Sequence, residues 1–297
     1  MSLRAAGFRR RSNPQATRRL LRFARNDGWA HRCYNARVLN DALSADVIAR
    51  DLKTRVIGAR VNYFARVEST NDIAAQLADA GEAEGIVIIA DEQTRGRGRM
   101  QRAWHAPKAS SILLSIVLRP PTECAAQIGM AIALGICDGI CAQTNLAPQI
   151  KWHNDILVNG KKCAGILLEA KTVGEKIEYV VAGLGLNVNF AAASVKGIPR
   201  DATTLADERD AAVPRAPLAR EILRALDAYY ARLVAGADLH REWRARLATL
   251  GQRVRVTTAR AIVEGIAQDV DADGALIVQR ADGSRERILV GDVMSAH

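Results

Sequence analysis

The chain has 297 residues, 49% hydrophobic and 25% charged, which suits a soluble globular protein with one core of about 200 residues and a small second domain. Its net charge of +10 suggests a nucleic-acid binder, but residues 1–40 hold ten arginines, no lysine and one acid, Asp27. The remaining body is nearly neutral and makes no case for a DNA-binding core. Cys33, Cys124, Cys137, Cys141 and Cys163 form no CxxC and the five histidines stand apart, which argues against a disulfide framework and a zinc site and for a reducing compartment. The longest apolar stretch, Ile128 to Cys141, is broken by Asp138 and is too short for a bilayer; no secretory signal is visible, so a cytoplasmic protein is expected.

Residues 1–42 read as a basic N-terminal extension. It is a disordered or partly helical tail, a translated upstream segment, or a nucleic-acid arm or targeting peptide, and no helix-turn-helix pattern is present. Leu43 to Leu52 predicts a short amphipathic helix capped by Ser44. Val61 to Val67 predicts a strand running into Glu68-Ser-Thr-Asn-Asp72, where Ser69 can cap a helix reaching about Ala80. Gly85 to Ala90 reads as a buried strand and Ser110 to Leu118 as another. The loop between them holds Arg95, Arg97, Arg99 and Arg102 with Gly96 and Gly98 interleaved. Glycine lets backbone N–H groups approach a ligand, and arginine adds a planar fork suited to phosphate or carboxylate. Alone, this loop reads equally well as a flexible basic segment on a solvated edge.

Thr122 is placed to cap a buried helix from about Glu123 to Gln143. Next comes a meander: a strand from Gln149 to Val158, an Asn159-Gly160 turn, a return strand from Lys161 to Ala170, and a third strand from Ile177 to Phe190. Mid-strand Gly183 and Gly185 suggest a ligand or another backbone close by. Alternation puts Lys151, His153 and Asp155 on one strand face, Trp152 and Asn154 on the other, and Lys161 and Lys162 on opposite faces. A solvated hairpin with a Lys–Asp pair is the competing account. Residues 191–215 read as a loop and Pro217 to Leu250 as mostly helical. From Gly251, short β-branched runs separated by Asp-Gly turns predict a small barrel of four or five strands.

Taken together, Ser69-Thr-Asn71, Gln93-x-x-Gly-Arg-Gly-Arg99 with Trp104, Lys151-Trp-x-Asn-Asp155, Lys162-x-Ala-Gly165 and Gly183-x-Gly-x-Asn187 resemble the biotin protein ligases in order and spacing, over about residues 58–294. The resemblance implies an α+β fold like that of class II aminoacyl-tRNA synthetases, with a catalytic domain over 43–250 and an SH3-like β-barrel over 251–297. It implies activation of biotin by ATP and Mg2+ to biotinyl-5′-adenylate, then transfer to one lysine of the biotin carboxyl carrier protein of acetyl-CoA carboxylase or a related carboxylase. Its catalytic residues would be Lys162, Arg97, Arg99 and Asp155. Biotin contacts would come from Ser69, Thr70, Asn71, Gln93, Gly96, Arg97, Gly98, Lys162, Gly165, Gly183 and Gly185. ATP and adenylate contacts would come from Arg97, Arg99, Arg102, Trp104, Lys151, Asn154, Lys162 and Asn187. Arg95 to Arg102 would order over the adenylate. No resident metal is implied beyond Mg2+ with ATP. A homodimer is compatible with the likeness, and neither specific nucleic acid nor membrane is expected as a partner.

Three departures from the family pattern stand out. Gln101 replaces the last glycine of the usual GRGRxGR loop, which costs on the order of 1 kcal/mol if that position needs φ > 0. His153 replaces the proline of KWPND and is expected to face solvent. The chain end, Gly291 to His297, lacks the usual arginine, which puts communication between the two domains in question. Two alternatives stand beside the biotin reading: a lipoate-type ligase of the same fold, and a ligase that also represses at DNA.

Overall fold

The computed structural model describes residues 41–295. The first strand, β1 (Arg60–Phe64), lies parallel to β2 (Ile86–Ala90), which pairs antiparallel with β3 (Ser111–Leu118). Both apolar runs are buried along their whole length, as their continuous Ile, Leu and Val content requires. Four further strands, β4 (Gln149–Lys151), β5 (Asp155–Val158), β6 (Lys161–Val173) and β7 (Lys176–Asn187), complete a mixed seven-stranded sheet in the order β1-β2-β3-β7-β6-β5-β4. A second, fully antiparallel sheet holds β8 (Arg253–Thr257), β9 (Ile262–Val270), β10 (Leu276–Gln279), β11 (Arg285–Ile288) and β12 (Asp292–Ser295), ordered β11-β10-β9-β8-β12.

Helix α1 (Ala45–Ala49) starts as expected, with the Ser44 hydroxyl accepting from Val47 N at 3.2 Å. Helix α2 (Thr70–Asp79) covers one face of the large sheet, its Ala74 and Ala78 packing with Ile86, Ile88, Val117 and Val181. Helix α3 (Ile128–Thr144) covers the other face; α4 (Leu205–Arg209) is one short turn, and α5 (Arg215–Val234) packs along α3. The two long helices approach closely because α3 offers glycine: a Cβ on Gly139 would lie 2.5 Å from Ile222 Cα. Fully buried Ile and Leu side chains such as Ile136, Ile140, Leu218 and Leu223 fill this layer, each contributing on the order of 1.5–3 kcal/mol.

Several boundaries differ from expectation for identifiable reasons. With its 3-10 entry turn the α3 region is one helical run, Thr122–Thr144, whose 23 residues are long and apolar enough to cross a bilayer. It is instead packed between sheet and α5, with 67% of its most apolar window buried. Pro121 takes its cap position and the Thr122 hydroxyl accepts from Ile177 N, 3.2 Å away. The helix expected over 217–250 ends at Val234, where Gly236 takes φ +89°, and resumes as α6 (His240–Ala245).

The single strand expected over 149–158 is two strands, β4 and β5, joined by a turn at 152–154. Trp152 is drawn out of the sheet into the core: its N–H donates to Thr249 Oγ1 and its Nε1 to Gly274 O, both at 2.8 Å. The alternation of faces predicted across Lys151 to Asp155 therefore does not hold.

Candidate active site

At the start of α2 the backbone turns at Ser69, which occupies the cap position but makes no capping bond. The N–H of Thr70 is taken by Gln93 Oε1 at 2.7 Å, and the Thr70 hydroxyl reaches the same oxygen at 2.9 Å. Gln93 is thus the side chain that satisfies this helix end. Ser115, wholly buried in β3, sits 2.7 Å from Thr70 Oγ1 and 2.6 Å from Asn71 Oδ1. Ser69, Thr70, Asn71 and Gln93 form one wall of a cavity of about 210 Å³, with Ser115 behind them.

The glycine–arginine loop forms the rim. It folds back as a small hairpin in which Gly98 N donates to Arg102 O at 2.7 Å and Trp104 N to Gly96 O at 2.8 Å. Met100 and Gln101 take φ +52° and +57°, so the family's glycine position is indeed a left-handed one here. The arginines diverge. Arg95 pairs with Glu68 on the outside, and Arg97 turns back to Asp72 at 2.5 Å and Glu169 at 3.5 Å. Arg102 pairs with Asp292 of β12, and Arg99 bonds to Asn154 Oδ1 and Gly291 O at 3.3 and 3.4 Å.

The cationic wall rises from the β5–β6 hairpin. Asn159 and Gly160 take φ +49° and +76° at its turn, which sets Lys161 opposite Val158 and Lys162 opposite Leu157. Lys161 leans to Glu208 at 3.5 Å, whereas Lys162 enters the cavity, 2.6 Å from Asp155 Oδ1 and 5.8 Å from the Trp104 ring centre. His153 is half-buried, not solvent-facing, with Nδ1 3.4 Å from Arg99 Nη1. Burial, and then the Arg99 charge, push its pKa down to about 4, so at neutral pH the ring is uncharged and can accept from Arg99.

The floor is backbone. A Cβ on Gly183 would lie 2.2 Å from Asn71 Oδ1, and one on Gly185 would lie 2.5 Å from the Trp104 ring; both positions need hydrogen as a side chain. Trp104 lies over Gly185 and Gly165 with its indole N–H buried and without a protein acceptor. Asn187 donates to Thr203 O at 3.1 Å and keeps its Oδ1 unpaired.

The cavity thus gathers Ser69, Thr70, Asn71, Gln93, Arg97, Gly98, Arg99 and Arg102 with Trp104, Asn154, Asp155, Lys162, Gly165, Gly183, Gly185 and Asn187. Two expected residues do not line it. Gly96 sits behind the rim, tight against Trp104 O, and Lys151 faces a second cavity of about 410 Å³ on the far side of the Lys162–Asp155 pair. Sequence reasoning missed Ser115 and Asp292. Period-two alternation from the buried β3 pattern could have found Ser115; nothing local marks Asp292, since its contact with Arg102 joins residues 190 positions apart. Asp292 and the Gly291 carbonyl bring the second sheet to the rim.

The profile of the Biotin/lipoate A/B protein ligase family matches residues 63–187, and that of the Biotin protein ligase C terminal domain, an SH3-like fold, matches residues 249–294. The chain is 35% identical to the Biotin--[acetyl-CoA-carboxylase] ligase of Mycobacterium tuberculosis, over 86% of this chain and 97% of that one. It is 35% identical to the ligase of the same name from Paracoccus denitrificans, over 77% and 98%. With the Bifunctional ligase/repressor BirA of Bacillus subtilis it shares 31% identity over 82% of this chain and 77% of that one. In fold it is similar to a biotin protein ligase from Aquifex aeolicus solved with biotin and ATP, at a TM-score of 0.70 and 20% identity over 80% of this chain and all of that one. By sequence and architecture together, the chain belongs to the biotin protein ligase family.

Proposed function

We infer that the chain joins biotin to a protein lysine at the expense of ATP, by way of biotinyl-5′-adenylate. The observation that carries this reading is one cavity with two unlike walls: neutral hydrogen-bonding groups around Thr70 and Asn71, and the cations Lys162, Arg99 and Arg102 opposite. A ureido ring needs matched donors and acceptors without net charge. A carboxylate attacking an α-phosphate brings two anions together, and cations must screen both.

Lys162 bridges biotin carboxylate and α-phosphate as the acyl–phosphate bond forms and pyrophosphate leaves. Arg99 and Arg102 hold the phosphates, with Trp104 and the unpaired Asn187 oxygen on the nucleotide. Arg97, bound to Asp72 and Glu169, anchors the rim as it closes and keeps water from the mixed anhydride. In the second step the carrier lysine attacks the acyl carbon and AMP leaves; Asp155, 2.6 Å from Lys162, orients that amine.

Mg2+ would neutralise phosphate charge when bound with ATP. No group of three or more His, Cys, Asp or Glu fit for a metal exists among the described residues. The acceptor is the biotin carboxyl carrier protein of acetyl-CoA carboxylase or a related carboxylase, and the work is cytoplasmic. Pyrophosphate exchange into ATP, run with biotin and with lipoate, tests the reading. Exchange should depend on biotin; dependence on lipoate alone would replace it.

A further inference from the structure

Glu169 of β6 lies outside the cavity, yet its two carboxylate oxygens hold two parts of the site. Oε2 accepts from Asn71 Nδ2 at 2.6 Å, and Oε1 faces Arg97 Nη2 at 3.5 Å. It ends a run of side-chain contacts from Gln93 through Thr70, Ser115 and Asn71.

The protons along this run allow two arrangements. The Thr70 hydroxyl donates to Gln93, so the single Ser115 proton can go to Asn71 Oδ1 or to Thr70 Oγ1, but not to both. With the Asn71 amide turned over, its NH2 would donate to Ser115 and free the Ser115 proton for Thr70. Each internal contact would then be satisfied. Gly183 cannot choose between the two, since it presents no side chain to the amide. A carboxylate, which only accepts, must face the NH2, and this charge-assisted bond leaves the oxygen towards Ser115.

We propose that Glu169 is a positioning residue: through Asn71 it fixes the direction in which the hydrogen bonds of the neutral wall run. A ligand group that carries both donors and an acceptor then meets a defined pattern. The identity of that group as the biotin ureido ring rests on the function inferred above; the polarity of the wall does not.

Two variants and two readouts test this. Glu169→Ala removes the acceptor, and Glu169→Gln can turn either an oxygen or an NH2 to Asn71 and so no longer selects one direction. Both variants should raise KM for biotin about tenfold with kcat within about threefold, since most of the enzyme now presents the reversed wall. Separately, the side-chain amide protons of Asn71, assigned by comparison with Asn71→Asp, should shift in the NMR spectra of unliganded Glu169→Ala and Glu169→Gln alike. Amide shifts of this pattern in a protein that does not turn over biotin would uphold the positioning and reject only the substrate. An unchanged KM with unmoved amide protons overturns the proposal. A raised KM with unmoved amide protons also overturns it, because the carboxylate would then act through Arg97 and not through Asn71.

Discussion

Two sets of arginines in this molecule use the same side chain for opposite ends. Arg215, at the start of α5, is 1% exposed and closed on all sides. Asp41 and Asp91 lie 2.9 and 2.7 Å from it, and the carbonyls of Asp41 and Ser111 take further N–H groups. Arg99 on the loop is half-buried and bonds to neutral acceptors at 3.3–3.4 Å. Burial lowers its pKa, while Asp292 and Asp155 oppose that shift from a distance. A guanidinium matched in the core has its donors committed and holds the fold; one that leans on weak neutral partners keeps its charge for an incoming anion.

The largest effect should come from breaking the closed set. Arg215→Ala leaves Asp41 and Asp91 without their cation and should cost about 3–5 kcal/mol in urea unfolding. Arg99→Ala should change stability by less than about 1 kcal/mol, which sharpens the contrast; equal losses would erase it.

Next is the cation that faces substrate directly. Lys162→Gln should lower biotinyl-adenylate formation at least about a hundredfold, near 3 kcal/mol by analogy with loss of an oxyanion donor. Lys161→Gln, one residue away but turned to Glu208, should change the rate less than about threefold. Equal effects would mean that general charge, and not position, does the screening.

A pH effect separates Arg99 from Arg215. His153 titrates near 4 in the folded chain, below its ordinary value of about 6.5, so the unfolded chain takes up its proton first. Its contribution to stability is complete above about pH 6.5 and is lost as pH falls towards 4. Melting temperatures across this window should fall less steeply in His153→Gln, with the site around Arg215 unaffected.

The smallest effect concerns the loop backbone. Gln101→Gly removes a left-handed side-chain penalty and should stabilise the ligand-free protein by about 1 kcal/mol or less. Destabilisation would mean that the Gln101 side chain has found compensating contacts.

Where local chemistry decides the structure, it was legible. Asn159-Gly160 put Lys161 and Lys162 on opposite faces, with the family likeness choosing Lys162, Ser44 marked a helix start, and Gly183 and Gly185 signalled a close approach that proved to be Asn71 and Trp104. What escaped was set by distant partners. Ser69 looks like a cap, but Gln93 arrives from 23 residues away to take the N–H. Lys151 to Asp155 looks like an alternating strand, but Trp152 is drawn out by Thr249 and Gly274, roughly a hundred residues on. Alternation says nothing about a side chain claimed by another part of the fold.

That claim on Trp152 has a thermal consequence. The second sheet spans only Arg253 to Ser295, too little chain to close a core unaided. Its Val254, Val256, Leu276 and Val278 belong to the same buried cluster as Trp152, Met130 and Leu134, and the turn at Gly274 sits against Met130 and Trp243. A calorimeter should therefore record one endotherm for both sheets, with van't Hoff and calorimetric enthalpies in agreement. Loosening the indole contact, as in Trp152→Phe, should lower that single peak and not split it.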